Sequence, residues 1–203
     1  MTPSVWPRLY GREVGYNEGG TQLMEKNVTY IALFAALIAV LGLVPQISLA
    51  SGVPITAQSL GVMLCGTVLG AKRGFLAALL FVGLVALGLP LLSGGRGGLG
   101  VFASPTVGFV IGFPIAAFVA GFIVEKTRAA IGVAAFGGAL IGGVLVLYLF
   151  GITGMALILG KSWVAASLLV TAYIPGDLIK AGMAGFITQG LAKLRPDAVL
   201  SRP

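Results

Sequence analysis

Long apolar runs with almost no charge constrain this chain more than any other feature. From Val28 to Ala192 the only charged residues are Lys72, Arg73, Arg96, Glu125, Lys126, Arg128, Lys161, Asp177 and Lys180. An apolar helix of about 20 residues spans the roughly 30 Å hydrocarbon core of a bilayer. Helices of that kind fit at about 28–44, 55–70, 74–91, 105–124 and 130–158, with a last helix from 175 to about 193. Pro175 favours a helix start at that point, because proline fits the first helical turn. The stretch 160–174 reads as an extension of the fifth span, an interfacial helix or a re-entrant segment. The expected fold is all-α, an integral membrane protein with six transmembrane helices. Composition agrees: 58% hydrophobic and 9% charged residues leave too little polar surface for a soluble domain of 203 residues.

The distribution of charge orders these spans. Residues 1–27 are polar and mixed in charge and lack the pattern of a signal peptide, so they read as an N-terminal tail before an uncleaved first span. A single transmembrane domain then covers 28–193, and 194–203 forms a C-terminal tail. With six spans, Arg8, Arg12, Lys26, Lys72, Arg73, Lys126, Arg128, Lys193, Arg195 and Arg202 fall on one side, and Arg96 and Lys161 on the other. Both termini are therefore expected in the cytoplasm. The net charge of +7 follows membrane topology, and nucleic acid is not an expected partner. With no histidine and one cysteine, Cys65, the chain cannot form an intrachain disulfide or the usual His/Cys zinc sites. No metal or cofactor is expected.

Asp177 is the only acidic residue of the C-terminal two-thirds that lies inside an apolar run, and Lys180 follows three residues later. Ionisable groups are costly inside a bilayer, so an acid and a base on one helix face suggest a site for a polar or charged guest. The pair also fits an internal ion pair that neutralises itself near the interface. The topology places it within about two turns of the outer surface, facing the glycine-rich loop 93–104 and Arg96. That loop has a formal G-x-G-x-x-G at Gly95, Gly97 and Gly100, but without the βαβ setting of a dinucleotide site. Gly160-Lys161-Ser162 is not a P-loop, since Met155 stands where the first glycine is needed. Gly95 and its neighbours read instead as backbone able to approach a ligand closely and to move aside. In the first span, Ala32 with Ala36 and Ala35 with Ala39 form small-residue pairs that allow close helix approach.

Several segments carry a resemblance: Val53-Pro54-Ile55-Thr56-Ala57-Gln58-Ser59-Leu60-Gly61-Val62, Gly88-Leu89-Pro90, Ser104 to Phe113, and Pro175-Gly176-Asp177-Leu178-Ile179-Lys180. In order and spacing they resemble the signature segments of the BioY family, the biotin-binding S components of energy-coupling factor (ECF) transporters. The resemblance covers about 28–193. It departs from the family at Ala57-Gln58, where Leu-Gln is common, and at Ser104 to Gly108, where Gly-Pro-Thr-Gly-Gly is common.

The resemblance implies high-affinity biotin binding and uptake across the cytoplasmic membrane of a bacterium or archaeon, with no enzymatic activity. Biotin presents two ureido N–H donors, a carbonyl acceptor, an apolar bicycle and a carboxylate. Asp177 would accept from ureido N–H, and Lys180 would pair with the carboxylate or donate to an oxygen. Gln58 and Thr106 would supply neutral hydrogen bonds, Arg96 lies at a variable loop position, and Phe102, Tyr148 or Trp163 would cover the ring. Ala32, Ala35, Ala36 and Ala39 would dock on a transmembrane T subunit, which together with two ATP-binding subunits would drive uptake. Self-association or solitary operation, a proton-coupled carrier titrating at Asp177, and a membrane enzyme acting on lipid are the competing readings. The enzyme lacks the gathered carboxylates or histidines such chemistry needs.

Overall fold

Glu18–Leu41 (α1) opens the chain as a 24-residue helix. Its first turns precede the apolar run at 28 and consist largely of good helix formers such as Glu25 and Lys26. The computed structural model describes residues 18–47 and 52–202. Arg8, Arg12 and the rest of 1–17, like 48–51 of the loop after the first span, lie outside the described residues. The remaining helices are Gln58–Leu69 (α2), Ala71–Ala86 (α3), Val107–Lys126 (α4), Ile131–Leu140 (α5), Leu147–Leu159 (α6), Trp163–Val170 (α7) and Ile174–Leu194 (α8). The described residues contain no strand, only two isolated bridges, Ile47 with Ile55 and Leu92 with Arg96.

Among the described residues, four helical stretches are long and apolar enough to cross a membrane: Met24–Leu41, Val107–Lys126, Ile131–Leu159 and Trp163–Leu194. The expected span at 55–70 is a 12-residue helix, about 18 Å long. It need not meet lipid. Every residue of α2 except Ser59 is buried, packed among α1, α3, α4, α5 and α8. Residues 52–57 ahead of it are unwound, which is tolerated in a membrane protein where backbone lines a cavity or is buried in protein. α2 turns directly into α3 at Gly70, whose φ of 87° is a left-handed conformation that suits glycine. Ala71 N–H at the start of α3 donates to Glu125 Oε1 at 2.8 Å.

α5 and α6 form one rod interrupted by a π-helical turn, Ile141–Val146. Close approach explains its glycines: a Cβ on Gly142 would strike the backbone of Ala116 and Ala120, and one on Gly143 would strike Met63. The extra residue of the π turn resets the helical phase just before Leu147 and Tyr148.

The stretch 160–174 belongs with the last helix. Gly160 ends α6 in a left-handed cap, Ser162 Oγ accepts from Ala165 N–H to start α7, and a 3-10 turn at Thr171–Tyr173 joins α7 to α8. Pro175 lies in the first turn of α8. After α8 the chain folds back onto the bundle. Ser201 N–H donates to Val68 O at 2.9 Å, Ser201 Oγ to Thr67 O at 2.7 Å, and Arg202 to carbonyls of Val124, Thr127 and Ala129.

Candidate functional site

The unwound segment before α2, the hairpin after α3 and the first turns of α4 and α8 converge at one end of the bundle. The pocket between them has about 590 Å³ of open space, mouth included. Its apolar wall includes Val53, Ile55, Phe109, Phe113 and Leu147. Its polar groups include Thr56, Gln58, Ser59, Arg96, Thr106, Tyr173, Asp177 and Lys180.

Asp177 and Lys180 form the polar centre, at 2.8 Å between Oδ1 and Nζ. The pair is not self-contained. Lys180 Nζ also donates to Thr56 O at 2.6 Å and to Ser59 Oγ at 3.0 Å. Ser59 Oγ donates in turn to Asp177 Oδ1 at 3.1 Å, and Tyr148 OH donates to Oδ2 at 2.7 Å. The three ammonium hydrogens and the single seryl hydrogen are thus all used. Asp177 stands in the first turn of α8, where the helix dipole favours a negative charge. The unwinding of 52–57 is what frees the Thr56 carbonyl for Lys180, and Val53 O accepts from Tyr173 OH at 2.7 Å.

The other residues expected in the site divide by place. Gln58 lines the pocket, but its amide acts as a brace: Nε2 donates to Ile38 O at 3.2 Å and Leu91 O at 3.0 Å, and Oε1 accepts from Ser93 N–H at 3.0 Å. This fixes the Leu92–Arg96 hairpin to α1 and α2. Thr106 is buried against the pocket and shares a 2.7 Å hydrogen bond with Ser104 Oγ. Arg96 reaches the pocket, and its Nε donates to Ser93 O at 3.2 Å. Partial burial lowers the Arg96 guanidinium from its ordinary value, yet arginine keeps its charge in proteins. Gly95 sits at the turn of the hairpin with φ of 71°, outside the pocket lining.

Tyr148 supports Asp177 from behind and does not line the pocket. Neither Phe102 nor Trp163 is part of the lining; Trp163 is half exposed, with Nε1 donating to Thr153 Oγ1 at 3.4 Å. Phe109, Phe113 and Tyr173 supply the aromatic wall instead. Ser59, Thr56 and Tyr173 escaped the sequence analysis as individual groups. Two of them had an available signal: Ser59 adjoins Gln58, and Tyr173 is one helical turn before Asp177.

The small-residue pairs of α1 point in different directions. Ala35 is buried and Ala39 half-buried, whereas Ala32 and Ala36 are exposed on the outer face of the bundle.

The BioY family profile matches residues 17–197. A biotin transporter BioY of Rhodobacter capsulatus is 51% identical over 190 residues, covering 88% of this chain and all of that protein. Its counterpart in Rhizobium etli is 50% identical over 169 residues, covering 80% of this chain and 90% of its own. The fold matches the 2.1 Å crystal structure of the S-component for biotin from an ECF-type ABC transporter. That match has a TM-score of 0.80 at 31% identity and covers 85% of this chain and 93% of the other. By sequence along nearly its whole length and by fold, this chain belongs to the BioY family.

Proposed function

We propose that this chain binds biotin and serves as the substrate-specific S component of an ECF-type transporter, with Asp177, Lys180 and Arg96 as its principal polar contacts. The observation that carries the reading is the charge of the pocket. Asp177 and Lys180 offset each other, Arg96 has no acidic partner among the described residues, and the lining therefore carries one net positive charge. Biotin brings one negative charge and a neutral ureido ring. The ureido N–H groups suit Asp177, the ureido oxygen suits Lys180, and the carboxylate suits Arg96. The bicycle would lie against Phe109, Phe113 and Tyr173. Thr106 adds a hydroxyl, while Gln58 and Tyr148 hold the binding groups in position.

Binding exchanges partners within a network that is already satisfied, so the ligand must replace the hydrogen bonds it displaces. The Leu92–Arg96 hairpin would close over it as a braced unit, with Gly95 at its turn. The chain would cross the cytoplasmic membrane of a bacterium or archaeon six times: α1, α2, α3, α4, the α5–α6 rod and α7–α8. Residues 28–193 form the membrane domain, and the basic end, with both termini, faces the cytoplasm. Exposed Ala32 and Ala36 offer a smooth helix face to a transmembrane T subunit, which two ATP-binding subunits would drive. Ala35 and Ala39 would serve packing within the chain.

The test is equilibrium binding of labelled biotin to the purified, detergent-solubilised chain. Saturable binding that Asp177→Asn weakens at least about tenfold supports the proposal. A folded sample that binds no biotin sinks it.

A further inference from the structure

At the end of the bundle opposite the biotin pocket, a crevice opens between α1, α3 and α4, lined by basic and aromatic groups. We propose that it holds an anionic glycerophospholipid, with the phosphate between Lys72 and Lys126 and an acyl chain running along α3 and α4. The lining includes Lys72, Arg73 and Lys126 against one acid, Glu125, an excess of two positive charges. Glu125 is engaged by the Ala71 N–H at 2.8 Å, and Arg73 is fixed by Asn27 Oδ1 at 2.8 Å and by Leu200 O at 3.3 Å. Lys72 and Lys126 are exposed and form no ion pair among the described residues, although Lys126 Nζ lies 5.8 Å over the Phe122 ring.

The crevice continues into an apolar groove lined by Phe75, Ile115 and Phe118, and Phe118 belongs to both. A cationic mouth at a helix-bundle end leading into an apolar slot along two helices matches a headgroup joined to a hydrocarbon chain. Basic pockets at helix ends favour anionic headgroups over zwitterionic ones. Positive charge at the mouth also disfavours a choline headgroup, despite the Phe122 ring. The arrangement requires only that this end of the bundle lie at a membrane surface, so it is independent of the biotin reading.

The experiment is native mass spectrometry of the full chain in detergent, with phosphatidylglycerol and phosphatidylcholine of matched acyl chains. Phosphatidylglycerol should be retained about tenfold better. The preference should vanish in Lys72→Gln/Lys126→Gln and survive in Lys72→Arg/Lys126→Arg. Ile115→Trp, which blocks the groove and leaves the charges in place, should lower phosphatidylglycerol retention. Thermal unfolding in detergent, read in parallel, should stay close to that of the unsubstituted chain in all three variants, as a check that each is folded. Equal retention of the two lipids, or a preference that persists in the glutamine variant, overturns the proposal. Displacement of phosphatidylglycerol by an equal concentration of soluble glycerol phosphate would also overturn it, because the site would then be one for a free anion.

Discussion

Lys180 uses all three of its ammonium hydrogens on Asp177, Ser59 and the Thr56 carbonyl, and Asp177 takes further donors from Ser59 and Tyr148. Removing one partner of such a buried pair leaves the other charge uncompensated, at a cost of about 3–5 kcal/mol. Lys180→Met should therefore lower both biotin affinity and thermal stability. Adding Asp177→Asn to it should restore much of the stability and none of the affinity. Thermal unfolding in detergent beside biotin titration reads both effects; a double variant whose loss of stability equals the sum of the losses in Lys180→Met and Asp177→Asn would mean the two residues are not coupled. Tyr148→Phe tests a different role, because the hydroxyl meets Asp177 and does not line the pocket. It should weaken binding about tenfold, the worth of one hydrogen bond to a charged group at the low end, with the pocket wall unaltered.

The elements that shape the site are those that depart from regular helix, and for that reason they were the least legible in the sequence. Hydropathy and proline placed the starts and ends of α4, the α5–α6 rod and α8 to within a few residues, because each buries or exposes apolar surface over many turns. The unwound 52–57 segment falls within an apolar run that reads equally well as helix. Its conformation follows from a bridge to Ile47 and from two partners far along the chain, Tyr173 and Lys180. The π turn likewise lies where α4 and Met63 approach Gly142 and Gly143 closely. Asp177 and Lys180 were legible because an acid and a base stand out in an apolar run, whereas Ser59 and Tyr148 reach Asp177 only through the fold. Gln58 illustrates the limit: its residue type suggested a ligand contact, and its geometry makes it a brace for the hairpin. Gln58→Leu should release Leu91 and Ser93, giving faster amide hydrogen exchange across 88–98 and faster biotin dissociation. Unchanged exchange there would show that the hairpin holds without it.

At the scale of the whole molecule, α1 turns one face into the bundle and one away from it. Ala35 packs inward beside Phe34 and Ile38, so enlarging it should disturb the bundle itself, as overpacking typically costs about 1–3 kcal/mol. Ala32 and Ala36 are exposed on the outer surface of the described residues. Ala32→Trp and Ala36→Trp should therefore leave biotin affinity and thermal stability of the isolated chain nearly unchanged. If that face seats a T subunit, each tryptophan holds the helices apart and should abolish co-purification of the assembled transporter and ATP-dependent uptake together. The Ala35→Trp variant should fail earlier, in the stability of the isolated chain. Normal assembly and uptake in both Ala32→Trp and Ala36→Trp would move the docking surface off this face of α1, while the pocket around Asp177 and Lys180 would stand on its own measurements.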